Sequence, residues 1–247
     1  MYRSCYLALL IVLLVGLSIL ETGCPPKSLV SKSQEVEIGR EAARDVESRY
    51  PVSKDAELNA MVDRIGQDLA QHCSDRPDIK YTFKVLDIKD VNAVSLPGGW
   101  VYVYKGLIDE TKGKPDQLAG VIAHEIGHIA ARHHADMIGR QTYATILLGT
   151  LTKGDVQQIG AIFADLSLLR WSRKHEYEAD RLGIKYMYLC RSYDPQGLVN
   201  FFNILLQKQK DEPSRFEQMF RTHPVASERI SRAQKYLDDL KAGRAEP

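Results

Sequence analysis

The chain has 247 residues, 26% of them charged and 44% hydrophobic, with a formal net charge of +1. That balance suits one globular domain with an ample core and a short appendage. It excludes the basic stripe of a nucleic-acid partner, because lysines and arginines are spread along the chain, and it excludes a disordered acidic arm.

Residues 1–23 have the layout of a signal peptide. Arg3 supplies a positive start, and Tyr6 to Leu20 runs apolar for about 15 residues, short of the roughly 20 that span hydrocarbon. Gly23-Cys24 in "ETGCPP" resembles the end of a bacterial lipobox, where the cysteine becomes the lipidated first residue. Glu21 departs from the apolar residue of that pattern, and ordinary cleavage near Gly23 is the plainer alternative. Cys24 is thus the expected lipidation site, a membrane anchor at the cell envelope, with residues 24–32 as a tether. Cys73 and Cys190 remain as an even pair, compatible with a disulfide in an oxidising compartment.

Val36, Ala43, Val46 and Tyr50 recur at helical spacing, and Pro51 closes that helix. Leu58, Met61, Val62, Ile65 and Leu69 form a cleaner stripe and predict a second helix over Asp55 to Gln71. Ser74 to Asp78 is turn-rich. The period then becomes two: Tyr81, Phe83 and Val85 alternate with polar neighbours, as in a half-buried strand. "NAVSLPGGWVYVYKG" adds a short apolar piece, a Pro97-Gly98-Gly99 turn and the alternating run Trp100 to Lys105. These segments predict a small sheet with Asn92 to Leu96 as a candidate edge.

A helix from Asp116 to about Met137 follows, apolar nearly all round and hence buried, with Asp116 as its cap. Tyr143 to Leu151 and Ile159 to Leu169 are apolar and split by the polar "TKGD". Core helices are the plainer expectation for them; a lid or a lipid-facing surface is the functional one. Ser172 to Cys190 predicts another helix, Leu198 to Leu206 starts a further one, and Ser227 to Leu240 is the last. Helices, a small sheet, then helices describe an α+β domain over residues 33–241, with a short tail at 242–247.

Polar groups on a buried helix need partners. "VIAHEIGHIAARHHA", Val121 to Ala135, holds four of the seven histidines. His124 and His128 lie about 40° apart and one turn along, so their rings can converge on one ion. Glu125 lies about 100° round from His124, on the flank. This is the H-E-x-x-H spacing, in which two imidazoles hold zinc and the glutamate acts on water. By the same wheel His133 falls opposite the ligands and His134 well off their side, as surface or neighbouring-element contacts. Arg132 continues the ligand stripe, either solvated or paired with a carboxylate near the site. A catalytic zinc takes a third protein ligand and keeps a fourth position open. In "SRKHEYEADRLG", Glu176 and Asp180 share a face, Glu178 points elsewhere and His175 is expected to be exposed. Spacing alone leaves Glu176, Glu178 and His175 open as the third ligand.

HEIGHIAARH, SRKHEYEADRLG and THPVASER, in that order and preceded by NAVSLPGGWVYV, resemble the HtpX/BepA-type family of zinc metallopeptidases. The similarity runs over roughly Gln34 to Leu240 and is greatest to small lipoprotein members of the bacterial envelope. The resemblance implies a zincin-like fold, mostly helical, with a small sheet beside the HExxH helix. It implies one Zn²⁺ per chain on His124, His128 and Glu176, with Asp180 orienting a ligand histidine. Glu125 is then the general base, while His223 and Arg229 help bind substrate and stabilise the transition state. Alternatively, His223 fills the fourth zinc position and holds the enzyme inactive. The substrate would be an unfolded or extended polypeptide added as a strand at the sheet edge, near Asn92 and Ala93. The competing expectation is a metal-stabilised chaperone or binding module without proteolysis. An intact Glu125 disfavours it, because a purely structural site needs no base.

Overall fold

The computed structural model describes residues 30–73, 75–76, 79–139, 152–166 and 169–247, apart from the Cys73 side chain. The signal segment, Cys24, the tether as far as 29 and the apolar stretch Tyr143 to Leu151 lie outside them.

Helix α1 (Lys32–Arg49) starts ahead of its apolar stripe because Ser31 and Gln34 form a capping box, with reciprocal bonds of 3.2 and 2.8 Å. Ile38, Ala42 and Val46 then face the core at a spacing of four. Helix α2 (Ala56–Cys73) is started by Asp55, whose Oδ1 accepts from the Glu57 and Leu58 amides at 3.0 and 3.1 Å.

Strands β1 (Thr82–Leu86), β2 (Ala93–Leu96) and β3 (Trp100–Tyr104) form one sheet in the order β1-β3-β2. β3 runs parallel to β1 and antiparallel to β2. Alternation along β3 builds the layers. Val101 and Val103 enter one core with α2, while Tyr102 and Tyr104 enter a second core under α1. β2 is an edge strand by topology, yet all its residues are buried, as is Asn92 ahead of it. The edge expected to receive a peptide at Asn92 and Ala93 is therefore covered.

After the short helix α3 (Lys105–Glu110), Pro115 opens helix α4 (Pro115–Ala130), with Lys114 at the cap position. Asp116 is thus not the cap; its Oδ1 accepts from the Asp194 amide at 3.0 Å. α4 also stops well short of Met137. Arg132 adopts φ 58°, the chain turns, and a separate helical segment runs over 133–139. Arg132 pairs with a carboxylate: its Nε donates to the buried Glu35 at 3.0 Å and its Nη2 to the Val30 carbonyl, locking the turn onto α1.

"TKGD" supplies the start of the second of the two expected helices. Thr152 and Asp155 form the capping box of α5 (Lys153–Ala164), which buries Val156, Ile159 and Phe163 against α1 as a core helix. Helices α6 (Arg173–Cys190), α7 (Gln196–Asp211), α8 (Pro213–Thr222) and α9 (Ser227–Lys241) complete the fold. α4 and α6 cross closely. A Cβ on Gly127 would lie 2.8 Å from the Ala179 carbonyl, and one on Gly183 would lie 3.0 Å from the His124 amide. Cys190 carries a free thiol, with Sγ donating to Asp68 at 3.3 Å, and the side chain of its expected partner, Cys73, lies outside the described residues. Among the described residues no helix is long and apolar enough to cross a membrane. The fold is α+β and zincin-like, mostly helical, with the small sheet beside the helix that carries HExxH.

Candidate metal centre

The close crossing of α4 and α6 brings three side chains together. From α4, the Nε2 atoms of His124 and His128 lie 3.1 Å apart. From α6, Glu176 Oε1 lies 3.3 Å from His128 Nε2, and Oε2 lies 3.8 Å from His124 Nε2. A fourth group arrives from the end of α8: His223 Nδ1 is 3.3 Å from His124 Nε2 and 3.1 Å from Glu176 Oε1. One ligand atom from each of these four residues lies within 4.8 Å of all the others, and all four residues are buried.

Burial keeps His128 well below its ordinary pKa, so its ring is neutral and its lone pair is available. Burial alone would raise the Glu176 carboxyl, but Arg229 and His223 more than offset it and hold the group well below the usual carboxylate range. For His223, burial pushes down while Glu176 and Glu125 push up more strongly, so its pKa is raised. Neutral imidazole and carboxylate acceptors thus face one another in a field that draws positive charge. A divalent cation fits that donor set.

Glu125 stands beside this cluster. Its Oε1 is 3.2 Å from His223 Nε2, and its Oε2 accepts from the Ser95 hydroxyl at 2.7 Å. Ser95 went unremarked in the sequence. The available signal was a hydroxyl in the otherwise apolar AVSL, on the face of β2 shared with Ala93. Asp180 Oδ1 meets His124 Nδ1 at 2.9 Å, as the shared α6 face implied.

Arg229 is placed otherwise than expected. Its Nε and Nη2 donate to Asp180 at 2.7 and 2.8 Å, and Nη1 contacts Glu176 and the Pro224 carbonyl. A buried guanidinium needs such carboxylates, and all three nitrogens are engaged with protein groups.

His133 and His134 are buried, and of the two expectations the neighbouring-element contact holds for both, with Glu178 and Ser95 as partners. The turn at Arg132 takes both off the α4 wheel. His133 Nδ1 reaches 2.9 Å from His128 Nδ1, and His134 Nε2 donates to the Ser95 carbonyl at 2.9 Å. His175 is mostly covered, with Nε2 3.0 Å from Asp136 Oδ2 and its ring stacked on His133 at 4.3 Å. Trp171, also unforeseen, stacks on His128 with 4.4 Å between centroids. The space next to His124, Glu125, Phe202 and His223 is only ≈ 10 Å³, at the lower limit for one water. A larger cavity of ≈ 320 Å³ lies outside it, lined by Trp171, Glu176, Tyr177, Pro224 and Arg229.

Residues 56–237, which contain nearly all of these groups, match peptidase family M48. The chain is 29% identical over 233 residues to a putative beta-barrel assembly-enhancing protease of Vibrio cholerae serotype O1, an alignment covering 87% of this chain and 47% of that one. It is 29% identical over 201 residues to the metalloprotease YcaL of Escherichia coli strain K12, covering 78% and 74%. With the metalloprotease LoiP of the same strain it shares 27% over 221 residues, covering 86% and 83%. The chain thus spans about half the length of the beta-barrel assembly-enhancing proteases it matches, and most of YcaL and LoiP. The family match covers most of the sequence and runs through both helices of the centre: the chain belongs to peptidase family M48.

Proposed function

We propose that this chain is a zinc-dependent endopeptidase that hydrolyses peptide bonds in unfolded or misassembled envelope polypeptides. One observation carries the reading: donor atoms of His124, His128 and Glu176 converge, with the Glu125 carboxylate alongside. These three residues would hold the cation, one per chain, and the ion would supply Lewis acidity that acidifies water and polarises a peptide carbonyl. Glu125 takes the proton of the attacking water and returns it to the leaving amine. Asp180 Oδ1 lies 2.9 Å from His124 Nδ1 and favours hydrogen on that nitrogen, which leaves Nε2 to face the centre. Arg229 keeps Asp180 and Glu176 in place.

His223 makes this arrangement a resting one. His223 Nε2 faces the Glu125 carboxylate at 3.2 Å and Nδ1 faces Glu176 at 3.1 Å and His124 Nε2 at 3.3 Å, so the ring fills the fourth inward position. His223 therefore occupies the place that a substrate needs and engages the base as well. Entry of an extended peptide near Asn92 and Ala93 displaces it.

The relatives named for beta-barrel assembly support a substrate among envelope proteins. In this reading residues 1–23 are a signal peptide, lipidated Cys24 and the tether hold the domain at a membrane, and residues 33–241 are catalytic, with 242–247 as a tail. Mass spectrometry of the mature N-terminus checks the anchor.

The deciding experiment is a casein digest by the purified protein. Digestion should stop with a chelator and return with zinc, and Glu125→Gln should keep its zinc without cleaving. Full activity in Glu125→Gln ends the proposal. Zinc bound at one per chain with no cleavage by the parent favours the metal-stabilised binding module instead.

A further inference from the structure

The two helix-borne histidines of the centre are held from behind in different ways. His124 Nδ1 meets the Asp180 carboxylate directly at 2.9 Å. His128 Nδ1 meets another histidine, His133, at 2.9 Å between the Nδ1 atoms. His133 in turn places its Nε2 3.2 Å from Glu178 Oε2.

With neutral rings and a cation rather than hydrogen at His128 Nε2, this chain of contacts has one consistent assignment of hydrogens. Neutral imidazole has one donor and one acceptor nitrogen, and an ionised carboxylate only accepts. Glu178 therefore requires the hydrogen of His133 on Nε2, which leaves His133 Nδ1 to accept. The 2.9 Å contact then requires His128 to donate from Nδ1. His128 Nε2 is left bare, facing His124 and Glu176. The rings cannot easily turn away from this arrangement. Trp171 stacks on His128 at 4.4 Å, His175 stacks on His133 at 4.3 Å, and Asp136 holds His175 at 3.0 Å. The break at Arg132 makes the contact possible, since on a continuous helix position 133 would face away from 128.

We propose that His133 and Glu178 are positioning residues, a relay that fixes the tautomer and direction of His128 at one remove, as Asp180 does directly for His124. The inference rests on the metal-centre reading above. Outer partners of ligand histidines typically govern metal affinity by 10- to 100-fold.

The test is the zinc dissociation constant, read by competition with a chromophoric chelator at fixed pH for the purified parent, Glu178→Ala and Glu178→Gln. The Glu178 side chain is 35% exposed, so its removal should leave the fold intact, which the melting temperature of the zinc-free protein checks. We expect Glu178→Ala to weaken zinc binding by about 10- to 100-fold. Glu178→Gln should recover most of it, because the amide oxygen still accepts from His133 Nε2. Parental affinity in Glu178→Ala overturns the relay. So does equal weakening in both variants, which would mark a charge effect rather than a hydrogen bond. A parent that binds no zinc overturns the metal centre itself, an outcome distinct from either.

Discussion

The Ser95 hydroxyl donates to Glu125 Oε2 across 2.7 Å, tying strand β2 to the residue beside the first metal-site histidine. A hydrogen bond to a charged group is worth about 1.5–3 kcal/mol, and here it orients the carboxylate proposed as the general base. Ser95→Ala should therefore lower kcat/KM on a fluorogenic peptide by about 10- to 100-fold. Zinc content, measured on the same preparation, should not change. An unaltered kcat/KM would mean that Glu125 is placed by its other contacts alone.

Arg229 neutralises two buried carboxylates at once, Asp180 and Glu176. Arg229→Ala leaves both without their cation, which typically costs about 3–5 kcal/mol. Urea unfolding of the zinc-free protein should show a loss of that order. Arg229→Lys should restore little, because one ammonium cannot reproduce the forked contact to Asp180. A loss below about 1 kcal/mol would show that the carboxylates find other partners, as many surface pairs do.

His223 touches Glu125 with one ring nitrogen and the metal cluster with the other. His223→Ala should keep zinc near one per chain, since His124, His128 and Glu176 remain. Turnover of a short unstructured peptide should rise, about tenfold if the closed arrangement is favoured by about 1.4 kcal/mol. A fall in turnover with zinc retained would instead assign His223 to the developing oxyanion.

The centre was largely legible because its elements are local and periodic. One helical turn sets His124 and His128, and the same four-residue step on α6 sets Glu176 and Asp180. The misreadings follow from one backbone event. A wheel drawn through Arg132 sends His133 outward, whereas the positive φ there folds it back onto His128. Nothing in "AARHHA" marks that turn, which is locked from far along the chain by Glu35. The roles of Ser95 and Trp171 were hard to read for a related reason: both reach the site through packing between segments distant in sequence. The covered β2 edge and the true partners of Arg229 belong to the same class. Burial, unlike periodicity, depends on what folds over a segment.

His134 offers a reading of the fold by pH. Burial pushes its pKa down to about 4, while Nε2 donates to the Ser95 carbonyl at 2.9 Å. The folded state keeps this ring neutral, and the unfolded chain protonates it below about 6.5. As pH falls from about 6.5 toward 4 the unfolded state gains a proton that the folded state does not, so stability is lost through that window. It is fully present above it, and the loss levels off once the folded ring also protonates. The whole effect is roughly 3 kcal/mol, at about 1.4 kcal/mol per pH unit. Urea unfolding of the zinc-free protein across this range, compared with His134→Phe, isolates the contribution. The variant loses the bond to the Ser95 carbonyl and its baseline stability shifts, but its stability should fall less steeply with acid, by up to one proton. Parallel slopes in the two proteins would show that His134 protonates as easily folded as unfolded.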